Sequence, residues 1–173
     1  MNLAVLLLTS RYLGSEVVGQ VSMLIVCMAI TQSVNDMYTG PATIFHMSGN
    51  AMRPLYLRGV AWTICCTSLL TWLLIRFGAI GQAFFIPLLL LAWMSIMHYF
   101  HVVLVLGREK LRLYNILNLL QPALMVMFLG VQIFVLERKG FKVALSALYA
   151  SWVITLGVST FCVLLLVRAD KHE

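Results

Sequence analysis

Residues 18–46 read VGQVSMLIVCMAITQSVNDMYTGPATIFH, and Asp36 is the only Asp, Glu, Lys or Arg among them. A helix needs roughly 20 mostly apolar residues to cross the hydrocarbon core of a bilayer. This stretch is long enough to do so. Working outward, comparable runs occupy 58–78, 81–106, 114–136 and 143–168, and a shorter one occupies 2–9. The pattern predicts an all-α polytopic transmembrane bundle of about six spans, five complete and the first truncated.

Composition agrees with that reading. Of 173 residues, 62% are hydrophobic and 10% are charged, with a mean hydropathy of +0.97. A water-soluble domain of this size needs far more polar surface. The first run has no basic leader and no small-x-small site before Arg11, so it does not read as a cleaved secretory signal. The connections are short: SGNAMRPLYLR, FGAIGQ, GREKLR and ERKGFK. Short links make sequential helices antiparallel neighbours, and residues 1–173 read as a single transmembrane lobe without internal repeat or linker.

The net charge of +6 is spread over those connections, with no basic arm, which argues against a nucleic-acid partner and for contacts with membrane lipids. With the N-terminus cytoplasmic, Arg53, Arg58, Arg108, Lys110, Arg112, Arg168 and Lys171 fall inside. Arg11, Arg76, Arg138, Lys139 and Lys142 fall outside. The asymmetry favours that orientation slightly. Cys27, Cys65, Cys66 and Cys162 all lie in apolar runs, without a CxxC pair or a histidine at ligand spacing, and read as small hydrophobes.

Polar residues inside the spans carry the functional signal. At 100° per residue Gln32, Asp36, Thr39, Thr43 and His46 share an arc of about 80°. A buried carboxylate is costly in a bilayer, so Asp36 faces either a cavity or a helix-packing partner. Gly40-Pro41 should kink or break the same helix, since proline removes a hydrogen bond and clashes with the carbonyl of Met37. On the fifth run Tyr114, Asn118, Gln121 and Gln132 share an arc of about 60°, and Pro122 frees the Asn118 carbonyl. Two such stripes point to a shared hydrophilic cavity, although interhelical hydrogen bonding leaves the same trace. His98 and His101 sit at i and i+3 as cavity-lining or packing residues. With no third ligand at suitable spacing they make a poor metal site. No HExxH, GxSxG or Walker loop occurs, so neither catalysis nor a cofactor is expected.

The stretch SRYLGSEVVGQVSML at 10–24 resembles the R-x-L-G-x-E-x-x-G signature between the first two helices of polysaccharide flippases, relatives of the lipid-linked oligosaccharide exporters in the MATE-like (MOP) transporter superfamily. Arg11, Leu13, Gly14, Glu16 and Gly19 match it. VNDMYTGPATIFHMS at 34–48, with Gly40 and Pro41, is similar to the second-helix pattern of that group. LGREKLRLYNILNLLQPALMVMFL at 106–129 and ALYASWVITLGVS at 147–159 are similar to its fourth-to-sixth-helix region. The resemblance implies an N-terminal six-helix lobe, with a second lobe or a second copy as partner, since the family is built of two lobes. It also implies that this chain starts within helix one, as a fragment or half-transporter.

The implied function is flipping a lipid-linked oligosaccharide or polysaccharide precursor across the bacterial cytoplasmic membrane. The Asp36 and Asn118 stripes would line the path of the sugar. Arg53, Arg58, Arg108, Lys110 and Arg112 would hold the anionic headgroup. Asp36 and the histidines are candidates for ion coupling. Two rivals stay open: a non-transporting subunit or assembly partner in cell-surface polysaccharide biosynthesis, and a small intramembrane enzyme using His46, His98 or His101.

Overall fold

The computed structural model describes residues 3–40, 43–44, 52–137 and 140–169. Six helices account for nearly all of them: α1 (Leu3–Tyr12), α2 (Ser15–Thr39), α3 (Met52–Arg76), α4 (Phe85–Gly107, entered through a 3-10 turn at Gln82–Phe84), α5 (Leu111–Gly130, ending in a π turn at Val131–Val135) and α6 (Phe141–Ala169). Five of these, counting the turns that continue α4 and α5, are long and apolar enough to cross a membrane. The protein is therefore an all-α, multi-pass membrane bundle. The described part of α1 is 10 residues long.

Two boundaries differ from the sequence expectation. Met52 starts α3 six residues earlier than residue 58, because Pro54 falls in its first turn, where no intrahelical partner is lost. α2 stops at Thr39 instead of running to His46. Its cap, Gly40, leaves the helical region while its N–H still donates to the Asp36 carbonyl at 3.0 Å. A Cβ on Gly40 would sit 2.5 Å from that oxygen, so only glycine fits the bend. The Tyr38 ring lies 5.2 Å from that of Trp62, which is ten residues into α3. At 1.5 Å per residue, regular α2 therefore ends roughly 15 Å before the level of Met52. Pro41 and His46 lie outside the described residues.

Helix α4 forms the centre. It packs on α2, α3, α5 and α6 and is two-thirds buried, whereas each of the other spans buries a third or less. It meets α3 closely at Gly59, where a Cβ would fall on the ring of buried Phe100. The antiparallel order brings Tyr12 and Phe134 together at one end (ring centroids 5.1 Å apart) along with Phe84 and Phe141 (5.7 Å). Tyr56 stacks on Phe100 toward the other. These are called below the Tyr12 end and the Arg53 end. At the Tyr12 end α1 packs against both α2 and α5, joined to α2 through Gly14 at φ 91° and ψ 163°, a conformation open essentially to glycine alone.

Two apolar clusters result. Leu13, Val17, Ile80, Leu88, Leu129 and Val143 anchor one at the Tyr12 end. Met52, Phe100, Leu104, Leu117 and Val163 anchor the other. Between and beside them runs a set of buried polar side chains: Thr31, Asn35, Thr63, Thr67, Ser95, His98, His101, Ser151, Thr155 and Ser159. Hydroxyls on α2 and α6 are satisfied mostly within their own helix, as with Thr31 on the Cys27 carbonyl at 2.8 Å and Thr155 on the Ser151 carbonyl at 2.7 Å. Ser and Thr can be buried at low cost in this way, because the backbone supplies the acceptor.

Candidate functional site: a polar cleft between α2 and α5

Helices α2 and α5 make no extensive contact with each other, yet both face one cavity of about 210 Å³. Its walls are mostly apolar, from Met28 on α2, Pro122 and Met125 on α5, and Leu148 and Trp152 on α6. Three polar groups interrupt them: Gln32 from α2, Ser95 from α4 and Gln121 from α5. Ser95 and Gln121 each lie ten residues into their helix, roughly 15 Å from its end, which places the cavity in the middle of the bundle. At the Tyr12 end the gap between α2 and α5 is bridged by α1.

The gap continues toward the Arg53 end. One turn on from Gln32 stands Asp36, one turn on from Ser95 stands Tyr99, and one turn back from Gln121 stands Asn118. Tyr99 is in electrostatic reach of both Asp36 and Tyr114. The Oδ1 of half-buried Asp36 is buried without a hydrogen-bond partner. Asn118 is exposed and donates to the Tyr114 carbonyl of its own helix at 3.2 Å. Each predicted stripe contributes one residue to the cavity, Gln32 from α2 and Gln121 from α5. Gln32 and Gln121 wall the cavity itself, and Asp36 and Asn118 lie outside its walls.

Other predicted site residues are placed elsewhere. Thr39 donates to the Asn35 carbonyl and Thr43 to the Tyr38 carbonyl, both at 3.0 Å; buried and locally bonded, they do not line the cavity. His98 and His101 are buried in helix packing, His98 with its ring 5.8 Å from that of Trp152 and His101 with its ring 5.8 Å from that of Tyr56. Gln132 accepts from Ser146 at 2.9 Å, tying α5 to α6. Arg53, Arg58, Lys110 and Arg112 are exposed and Arg108 is half-buried. All five are at the Arg53 end, where Lys110 and Arg112 flank a shallow groove with Glu109, Leu113 and Leu166. Of the motif residues, Gly14 and Gly40 have conformational reasons to be glycine. Gly19 is exposed with open space at its Cβ position. Arg11 is exposed, its guanidinium 5.8 Å from the Tyr12 ring centroid.

Sequence reasoning missed Ser95, Trp152 and Asn35. Ser95 precedes His98 by three residues, so the face shared with the histidines was available as a signal. Asn35 is fully buried and donates to Thr67 on α3 at 3.3 Å and to the Thr31 carbonyl at 3.0 Å. No family model matches the chain, and no curated protein or solved structure matches it. The geometry of the cleft therefore carries the functional reading.

Proposed function

We propose that this protein is a membrane transporter lobe that moves lipid-linked oligosaccharide or polysaccharide precursors across the bacterial cytoplasmic membrane. The observation that carries the reading is the cleft between α2 and α5, apolar in most of its wall but studded at mid-depth by Gln32, Ser95 and Gln121. A lipid-linked sugar presents both chemistries, an apolar chain and a hydroxyl-rich head, and a cleft of this composition suits both. α2 ends its regular hydrogen bonding beside that cleft, as discontinuous helices do near transporter sites. The exposed cations at the Arg53 end would face the cytoplasm and attract a pyrophosphate. The side of the cleft that α4 and α6 leave open would be completed by a second lobe or a second copy.

The test is export of lipid-linked glycan in a strain complemented with Gln32→Leu/Gln121→Leu. Export should fall at least about tenfold, equivalent to ~1.4 kcal/mol, at unchanged protein level. Unchanged export would defeat the proposal. A second reading, a non-transporting membrane subunit or assembly partner, is favoured by the Asn35–Thr67 hydrogen bond, which uses buried polarity for helix packing alone. Under that reading the same double substitution lowers association with partner proteins and leaves flipping intact.

A further inference from the structure

The turn from α4 to α5 is tight. Glu109 takes φ 57°, its N–H donates to the Leu106 carbonyl at 2.8 Å, and the N–H of Lys110 donates to the Val105 carbonyl at 3.2 Å, so α5 begins directly at Leu111. Lys110 is thereby its cap and Arg112 stands in its first turn, both exposed. Leu111 between them is 61% exposed. The antiparallel α6 brings Leu166 and the exposed Arg168 of its last turn to the same level. Here lies a shallow groove of about 520 Å³, walled by Leu111, Leu113 and Leu166 and edged by Glu109, Lys110 and Arg112.

This groove and the cavity between α2 and α5 share no lining residue. Among the described residues none of α2 or α3 lines the groove, and Arg112 lies about 180° round α5 from Gln121. We propose that the groove binds a phospholipid of the surrounding bilayer, one whose headgroup is a singly charged phosphodiester bearing hydroxyls. Arg112 offers the phosphate a planar fork and Lys110 a point charge. Glu109 accepts from a headgroup hydroxyl. Its carboxylate also opposes a second phosphate beside the first, so the groove suits one phosphodiester better than a pyrophosphate. The three leucines take the first carbons of an acyl chain.

Ordinary anchoring at the membrane surface needs only cations near a span end, and the exposed Arg53 and Arg58 of α3 meet that need. The groove has what anchoring does not require, two cations set close together by a tight turn over an apolar wall built from two helices. They stand at headgroup level, because one candidate span ends at Gly107 and the next begins at Leu111. Basic clefts between helix ends on the cytoplasmic side suit anionic headgroups. Leu113 and Leu166 also pack on the cluster of Leu104, Leu117 and Val163. A seated lipid therefore bridges α5 to α6 over that cluster and stabilises the folded chain in step with its binding. The inference does not depend on what the cleft transports.

The test is native mass spectrometry of the full chain released from nanodiscs of equal parts phosphatidylglycerol and phosphatidylcholine. One phosphatidylglycerol should stay bound per chain, at least about fivefold in excess of phosphatidylcholine, since each cation near the surface is worth roughly that factor. Lys110→Gln/Arg112→Gln should lose the preference. Arg53→Gln/Arg58→Gln, which removes as much charge from the same end, should keep it. Equal retention of the two lipids, a preference that survives the first double substitution, or one that is lost in the second would overturn the site. So would displacement of the bound lipid by one equivalent of a polyprenyl pyrophosphate, which would give the groove to a transported lipid. A thermal unfolding scan in detergent reads the unaltered chain as well: added phosphatidylglycerol should raise its midpoint more than added phosphatidylcholine does, and an equal response to both would again overturn the proposal.

Discussion

The two polar faces of α2 differ in what they meet. One carries Thr31, Asn35 and Thr39, all three fully buried, and reaches α3 through Asn35 on Thr67. The other turns Gln32 into the cavity across which α2 stands apart from α5, with half-buried Asp36 one turn on. Neighbours in sequence, Asn35 and Asp36, are about 100° apart on the helix and serve opposite purposes. Polarity that is packed holds helices together, whereas polarity that is left facing a gap is available to a ligand. Substitutions should separate the two faces, with the packed face answering in stability and the cleft face answering in accessibility and transport.

The largest effect is expected at the tightest point on the packed side. Gly59→Leu places a side chain where the Phe100 ring already lies. Phe100 is itself held against Tyr56, with ring centroids 6.2 Å apart, and has little room to retreat. Overpacking of this kind costs about 1–3 kcal/mol or more, so the variant should lose its folded fraction in a thermal unfolding scan in detergent. Native-like melting would show that the α3–α4 contact is looser than described. Next comes Gly14→Ala, which forces a side chain into φ 91° at a cost of about 1–3 kcal/mol. Because Gly14 aims α1 at the gap between α2 and α5, its stability loss should be accompanied by weaker α1 docking. Cross-linking between Tyr12→Cys and Phe134→Cys, which start from rings in contact, would measure it.

A smaller effect is expected from the hydrogen bond that joins α2 to α3. Interhelical side-chain bonds in membranes average about 0.6 kcal/mol. The coupling energy between Asn35→Ala and Thr67→Val, from a double-mutant cycle of unfolding free energies, should have that size. A coupling near zero would mean that Asn35 is held by the Thr31 carbonyl alone and that the contrast between the faces rests on burial rather than on bonding. Both substitutions should leave cavity access unchanged.

The spans were legible from hydropathy because length and apolarity are all that crossing requires, and the break at Gly40 was legible because glycine followed by proline rarely continues a helix. The sorting of polar residues was not. A helical arc groups Gln32, Asp36, Thr39 and Thr43 together, but hydroxyls close onto their own backbone while a longer amide or carboxylate cannot do so as readily. Side-chain chemistry therefore separates residues that angle alone unites. A four-residue period of small side chains, Gly59, Thr63, Thr67 and Thr71 on α3 and Ala147, Ser151, Thr155 and Ser159 on α6, is written plainly in the chain. It marks the close-packed faces and, by elimination, the faces free to line a cleft. That α2 and α5 stand apart depends on how four helices pack at once, which no single segment encodes.

The smallest stability effect, and the sharpest comparison, comes from cysteines placed on the two faces in a background lacking Cys27, Cys65, Cys66 and Cys162. Gln121→Cys removes an amide from a cavity wall and leaves core contacts untouched, so its unfolding free energy should change by no more than about 0.5 kcal/mol. A polar maleimide should label it readily, and should label Asp36→Cys as well, since Gln121 walls the cavity and Asp36 is only half-buried. Asn35→Cys, one residue from Asp36 but fully buried against α3, should resist labelling until the protein is unfolded. The ratio of rates between positions 36 and 35 is the decisive quantity because backbone position, membrane depth and reagent are shared. A ratio near one would mean that α2 rotates freely between its neighbours, and the division into a packing face and a cleft face would fail. A ratio of about ten or more corresponds to at least ~1.4 kcal/mol of difference in exposure, and would locate the water-accessible path on the side of α2 that faces α5.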